Sequence, residues 1–286
     1  MEHLEAHRNF FARLIAANVG IGNPEHPVVK AFASVPREHF LGPGPWQVLT
    51  TAGYIATPNN NAAFVYQDVV IALDRDKQLN NGQPLLHAAS LSALAAKPGD
   101  AVIHVGAGTG YYTALLATLV GDHGRVFAYE IDQELAARAV LNLSYMSNVT
   151  VIAGNASEGP LPQCDAMYVN AGATGPQECW LDSLKSGGRL LLPLTPAEVS
   201  GRPAPGMMLL ITYAAERNFQ ARFVCQAAFT PCIGARDTDT AEKLTVAFAR
   251  GDARTVRSLR REGTPGETCW CSGQRWWLST AAPAAP

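Results

Sequence analysis

Ala101-Val102-Ile103-His104-Val105-Gly106-Ala107-Gly108-Thr109-Gly110-Tyr111 reads as an apolar strand, a glycine-rich turn and the opening of a helix. Glycines let a backbone approach a ligand closely, and the exposed amides of a helix start attract a carboxylate or a phosphate. A dinucleotide fingerprint has the spacing G-x-G-x-x-G. Here the third glycine comes one residue early and a tyrosine follows it. A nicotinamide-dependent oxidoreductase therefore fits the α/β pattern but not the loop, and it ranks last among the enzyme readings.

Outward from this loop, short apolar runs alternate with longer amphipathic ones from Lys97 to about Pro196, the pattern of βαβ units. Parallel buried strands are expected at residues 101–105, 125–130, 149–153 and 166–170, with helices over 112–120 and 133–143. A fifth strand is expected at 189–193 after the Ser186-Gly187-Gly188 turn. The runs 207–213 and 221–229 read as a hairpin at the sheet edge. Glu130 ends the second strand twenty residues after Gly110, where an acid can hold both ribose hydroxyls of an adenosine. The amide of Asn155 ends the third, in Gly154-Asn155-Ala156, in reach of an adenine edge. Alone, Glu130 is as readily a solvated acid and Asn155 a turn former; in order, the three strand ends outline one nucleoside-shaped ligand. Asp132 reads as a helix cap.

The flanks are simpler. Residues 1 to about 45 start as a helix with Phe10, Phe11, Leu14 and Ile15 on one face, then turn into Leu41-Gly42-Pro43-Gly44-Pro45. From Asp237 the chain reads as a basic helix-like run, 244–261, and then a stretch dense in tryptophan (Trp270, Trp276, Trp277) expected to dock on the sheet or on a second copy. Three divisions follow: 1–96 as helical cap and acceptor-side loop, 97–235 as the α/β core, and 236–286 as an extension.

With 286 residues, 48% hydrophobic, 16% charged and a net charge of -2, the composition is that of a globular protein with no basic footprint for nucleic acid or an anionic membrane. No apolar run approaches the roughly 20 residues a membrane helix needs. The mixed acidic and histidine-containing start is unlike a signal peptide. The six scattered cysteines lack C-x-x-C pairs, so reduced thiols, a cytoplasmic location and no metal site are expected.

Several motifs then carry a resemblance. Val35-Pro36-Arg37-Glu38-His39-Phe40, Val65-Tyr66-Gln67-Asp68, Gln83-Pro84, Lys97-Pro98-Gly99-Asp100 and Leu184-Lys185-Ser186-Gly187-Gly188-Arg189-Leu190 occur in one order over residues 8–235. This pattern resembles the protein-L-isoaspartate O-methyltransferase family. The resemblance implies a seven-stranded α/β sheet, and with the flanks read above the expected fold is Rossmann-like and mostly parallel, with helices on both faces, an N-terminal helical cap and a C-terminal extension. It also implies S-adenosylmethionine as cofactor and methyl transfer to a carboxylate.

There are departures. The family's T-I-S-Q-P loop, whose serine lies at the methyl-transfer site, reads Asn80-Asn81-Gly82-Gln83-Pro84. The acid usual at the end of the first strand is His104, and the family's G-D-G is Gly154-Asn155-Ala156. The expected cofactor-binding set is Gln83, His87, His104, Gly106, Ala107, Gly108, Gly110, Tyr111, Glu130, Ile131, Asn155, Ala156 and Asn170. Asp68, Asn81 and Gly82 are the expected catalytic set, on the acceptor side. The acceptor is expected to be a peptide or small-molecule carboxylate. A carboxylate is already ionised and needs only positioning, whereas a hydroxyl acceptor would want a base, for which Asp68, His87 and His104 are candidates. The alternatives are a methyltransferase for a small-molecule hydroxyl and a cofactor-binding pseudoenzyme; a homodimer through the extension is a further expectation.

Overall fold

The computed structural model describes residues 2–197, 204–215 and 218–283. The chain runs through α1 (Glu2–Asn18), α2 (Pro27–Ser34), β1 (Gln47–Thr50), β2 (Gly53–Ala56), β3 (Ala72–Asp74), β4 (Leu79–Asn80) and α3 (Pro84–Leu94). Then come β5 (Ala101–Val105), α4 (Tyr111–Val120), β6 (Arg125–Glu130), α5 (Gln133–Asn142), β7 (Val149–Ala153), β8 (Cys164–Val169) and α6 (Glu178–Asp182). The last part holds β9 (Leu184–Leu194), β10 (Gly206–Ala215), β11 (Asn218–Ala227), α7 (Thr238–Ala249), β12 (Ser258–Arg260), β13 (Cys269–Ser272) and β14 (Trp277–Ser279). The α/β, Rossmann-like expectation holds: strands at the glycine loop and after it are parallel, each followed by a helix or a loop at its carboxyl end.

Two compact units divide the chain. The first comprises Met1–Gly99 and Ala107–Gly154. In it α1 packs on α2 and α3, and α2 on α4. The seam is aromatic, with Phe11 edge-on to Phe32 at 6.1 Å and Tyr111 meeting Phe40 at 5.6 Å. The four apolar residues of α1 do not share a face. Phe11 and Ile15 are buried, whereas Phe10 is 67% and Leu14 48% exposed. Ala12 and Ala16 lie on the buried side, and their small side chains let neighbouring helices approach. The parallel pair β6–β7 belongs to the same unit. Asp132 caps α5, accepting from the amides of Glu134 and Leu135, as its position after the strand suggests.

The second unit comprises Asp100–Gly106 and Asn155–Pro286. Its strands follow the order β13-β14-β12-β11-β10-β9-β8-β5. β5, β8 and β9 are parallel, and the remaining pairs antiparallel. The Ser186-Gly187-Gly188 turn lies inside β9: Cys164 faces Leu184, yet Ala166 faces Arg189, so the glycine segment bulges out of register. The motif residues Asp100 and Arg189 form an ion pair of 2.8 Å, and Lys185 pairs with Asp165 at 2.7 Å. Two of the family-like motifs thus meet at the amino ends of the strands and serve the sheet.

Two expectations change here. The hairpin β10–β11 is not an edge, because β12 pairs with β11 and the extension carries the sheet onward. The run 244–261 is not one helix. α7 ends at Ala249, Gly251 takes a left-handed φ of +74° and residues 258–260 form β12. The tryptophans of the extension are used inside this unit: Trp270 is buried against Phe223 and Phe248 at 5.1 and 5.3 Å. No described helix is long and apolar enough to cross a membrane.

Candidate active site

In the first unit the glycine turn ends on the helix start. Gly110 is the N-cap of α4 at φ +100°, and a Cβ there would lie 2.7 Å from Leu143 Cδ1. Only glycine fits both the backbone and the space. It leaves the first turn without a side-chain cap, the arrangement that suits an anionic group at a helix start. Tyr111 turns inward and is buried among Phe32, Phe40 and Tyr112, so its side chain is core and only its main chain faces the turn.

Glu130 is 6% exposed, and its carboxylate ties the turn down. The Gly108 amide donates to Oε2 at 2.6 Å and the Asp132 amide to Oε1 at 2.9 Å. Burial raises its pKa while these two amide bonds pull it back. Each oxygen retains accepting capacity after one such bond, which is what two vicinal hydroxyls require. Ile131, 42% exposed, stands beside it as an apolar surface, while Ala107 bonds from its amide to Tyr129 O at 3.1 Å.

Asp68, Asn81, Gly82 and His87 form a second group in the same unit. Asp68 has both oxygens engaged: Gln83 Nε2 donates to Oδ2 and the Leu85 amide to Oδ1, each at 2.8 Å. It caps α3 from outside the helix and holds Gln83 in place. Asn81 is buried, accepting from Arg37 Nε at 3.1 Å. Gly82 has φ +73°, and its amide donates to Asn80 Oδ1 at 2.9 Å. His87, buried one turn into α3, stacks on Tyr112 with ring centroids 3.4 Å apart and planes 9° apart. Its ring fills the space above Gly82.

In the second unit, His104 and Asn170 meet. Asn170 Nδ2 lies 2.7 Å from His104 Nε2, and the imidazole stacks on Tyr168 at 5.6 Å. Complete burial pushes the His104 pKa down to about 3, so the ring is neutral. A Cβ on Gly106 would lie 3.3 Å from Asn170 O. Asn155 spends its side chain locally: Oδ1 accepts from the Ser157 amide at 3.0 Å and Nδ2 donates to Glu158 Oε1 at 3.0 Å. This is a turn former's arrangement. The carbonyl of Ala156 accepts from Trp180 Nε1 at 2.8 Å.

One residue of the Asp68 group, Arg37, was not assigned a role from sequence. Arg37 is fully buried and donates to Val65 O, Gln67 O, Val69 O and Asn81 Oδ1. It fastens the Asp68 segment to the Asn80–Gly82 loop. An arginine flanked by the apolar Val35 and Phe40 was the available signal. Apart from that group, Trp276 of the extension docks its indole against Gly175, where a Cβ would be 2.4 Å from Nε1. Arg275 Nη1 reaches both oxygens of Glu178 at 3.1 and 3.0 Å. No local pattern foretells those partners, which lie about a hundred residues away.

Residues 9–202 match the family model described as Protein-L-isoaspartate(D-aspartate) O-methyltransferase (PCMT). A protein-L-isoaspartate O-methyltransferase of Aeropyrum pernix is 30% identical over 213 residues, 72% of each chain. Its counterpart in a Roseiflexus species is 30% identical over 218 residues, covering 74% of this chain and 87% of the relative. The chain spans half the length of the Thermotoga maritima relative, at 28% identity. Among solved structures, a protein-L-isoaspartate O-methyltransferase superposes with a TM-score of 0.62 at 23% identity, covering 77% of this chain and 65% of that one. A second, from Plasmodium falciparum in complex with S-adenosyl-L-homocysteine, gives 0.61 at 19% identity, over 79% and 98% of the two chains. On the match over residues 9–202 and the 30% identity to these relatives, the chain is a member of the protein-L-isoaspartate(D-aspartate) O-methyltransferase family.

Proposed function

We propose that this chain is an S-adenosylmethionine-dependent O-methyltransferase that methylates a carboxylate on a peptide or small molecule, with an acceptor loop altered from that of an isoaspartyl enzyme. The observation that carries the reading is the Glu130 carboxylate bonded to the Gly108 amide beside an uncapped helix start. An acid for the ribose, an apolar surface in Ile131 and a helix N-terminus for a carboxylate match the parts of that cofactor. When bound, the cofactor supplies a methyl group activated on a sulfonium. The protein's task is then to hold an acceptor oxygen in line with it.

Two features favour a carboxylate acceptor. Asp68 has both oxygens committed to α3 and Gln83, so it stands as a scaffold rather than a base. Arg37 places a buried positive charge behind Asn81, with its hydrogen bonds given to neutral oxygens, and that potential attracts an anion. Incubation with labelled S-adenosylmethionine and a set of carboxylate acceptors, isoaspartyl peptide included, tests the reading. It predicts a product that releases methanol in mild alkali, as carboxyl methyl esters do, and an isoaspartyl peptide that is a poor acceptor. An alkali-stable product would point to the hydroxyl acceptor, and no transfer to any acceptor to a pseudoenzyme.

A further inference from the structure

We propose that the β3–β4 hairpin is a strap beside the ribose acid Glu130, that Lys77 is its ionic latch, and that cofactor enters and leaves when the latch opens; this rests on the cofactor reading above. Every residue concerned lies in the first unit. Glu130 is held by two amides, those of Gly108 and Asp132. The hairpin touches the same two residues. Leu73 Cδ1 of β3 stands 3.6 Å from where a Cβ on Gly108 would be. Past the tip, Lys77 Nζ lies 2.8 Å from Asp132 Oδ2 and 2.9 Å from Glu134 Oε2. A longer contact, 3.5 Å to Asp74 Oδ2, stays within the hairpin. The strap is thus fastened to both supports of the carboxylate.

Its construction suits a part that turns about its root. Asp74 Oδ1 accepts from the amides of Asp76 and Lys77 at 3.0 and 3.1 Å, which fixes the tip as a turn. The root is tied down, with the Leu49 amide donating to Val70 O at 2.9 Å and the Asn81 amide to Ile71 O at 2.8 Å. Between them the ladder is short and slips register: Ala72 faces Asn80, and Asp74 faces Leu79. Such a bulge bends a ribbon. What holds the tip then decides where it lies. Arg138 Nη1 reaches Leu73 O only at 3.5 Å, and Arg75 lies 5.4 Å from the Tyr54 ring centre. The Lys77 pairs are the charged hold. The Asp132 side chain is 17% exposed, so its pair is screened less than one in open water. It is also fixed beforehand by capping α5, so closure costs the freedom of the lysine alone.

These ion pairs are made between protein groups, so they favour the closed strap equally with or without a ligand beside Glu130. Weakening them should therefore speed entry and exit together and leave the affinity unchanged. S-adenosylhomocysteine carries no net charge at neutral pH. Salt then acts on the latch and not on long-range attraction of the ligand.

Surface plasmon resonance on the immobilised full chain, with S-adenosylhomocysteine as the probe, reads both rates. Lys77→Met is expected to raise association and dissociation by about two- to tenfold, the factor that exposed ion pairs of this kind contribute, with Kd within about twofold of wild type. Raising NaCl from about 0.05 to about 0.5 M should speed both rates of the wild-type chain and leave those of Lys77→Met unchanged. Lys77→Arg keeps the charge and is expected to keep the slow rates. Wild-type rates in Lys77→Met, or faster dissociation alone with a weaker Kd, would overturn the latch. Failure of the wild-type chain to bind the probe at all would overturn the cofactor reading itself, and the strap with it.

Discussion

Gly82 and His87 share one space: a Cβ on residue 82 would lie 2.2 Å from His87 Nε2. The ring of His87, on the helix that follows, fills the space that a side chain at residue 82 would need. The ring is held there by its stack on Tyr112, the second residue of α4, so a polar nitrogen stands between the Asn80–Gly82 loop and that helix. Gly82 also sits at φ +73°, a conformation that disfavours any other residue.

Gly82→Ser is therefore expected to destabilise the protein by about 2–4 kcal/mol, combining left-handed strain with displacement of a stacked ring. In an His87→Ala background the same change should cost about 1–2 kcal/mol, because only the backbone strain remains. Urea denaturation of the four proteins measures the coupling. Equal costs in both backgrounds would show that the two positions do not compete.

Arg37→Met should cost about 2–4 kcal/mol, since it takes the guanidinium donor from the buried Val65 O and Asn81 Oδ1 and from the part-buried carbonyls of Gln67 and Val69. The midpoint of a urea transition reads this. Because Arg37 ties the Asp68 segment to the Asn81 loop, the variant should also lose acceptor turnover while keeping affinity for S-adenosylhomocysteine.

His104 contributes a defined pH dependence. Its ordinary pKa is 6.5, and burial takes it to about 3 in the folded chain. Between those values the unfolded chain holds one more proton than the folded one, so the stability due to neutral burial is complete above pH 6.5. It falls as the pH drops towards 3, by up to about 1.4 kcal/mol per pH unit. His104→Gln should flatten the stability curve by that one proton between pH 6 and 4. An unchanged slope would mean that the imidazole protonates freely in the folded state.

Trp276→Ala should cost about 3 kcal/mol by opening a cavity between Gly175 and Gly273. Differential scanning calorimetry would record the fall in Tm. Such a loss would show that the extension is part of the folded core, while a Tm equal to that of the wild type would make it a loosely attached tail.

The legible part of the fold was the part governed by short-range rules. β5, β6 and β7 begin and end where the glycine turn, Glu130 and Gly154 punctuate apolar runs, and α5 starts at its Asp132 cap. The glycine loop and Glu130 were readable for the same reason, since close approach and a strand-end acid are local requirements. The face of α1 was not. The pairs Phe10/Leu14 and Phe11/Ile15 have the same spacing, and only packing against α2 and α3 selects the second. β12 is three residues long and gains its identity from pairing with β11, so no periodicity announced it. His87 could be placed on a helix face, but its occupation of the Gly82 space depends on a stack with a residue 25 positions away.

The central claim is that the Gly106–Gly110 turn and Glu130 hold S-adenosylmethionine, and titration calorimetry with S-adenosylhomocysteine tests it most directly. The account predicts saturable one-to-one binding to the wild-type chain, weakened at least tenfold in Glu130→Ala, where the ribose loses its carboxylate. Absence of binding to the wild-type chain, or equal affinity in the variant, would contradict it.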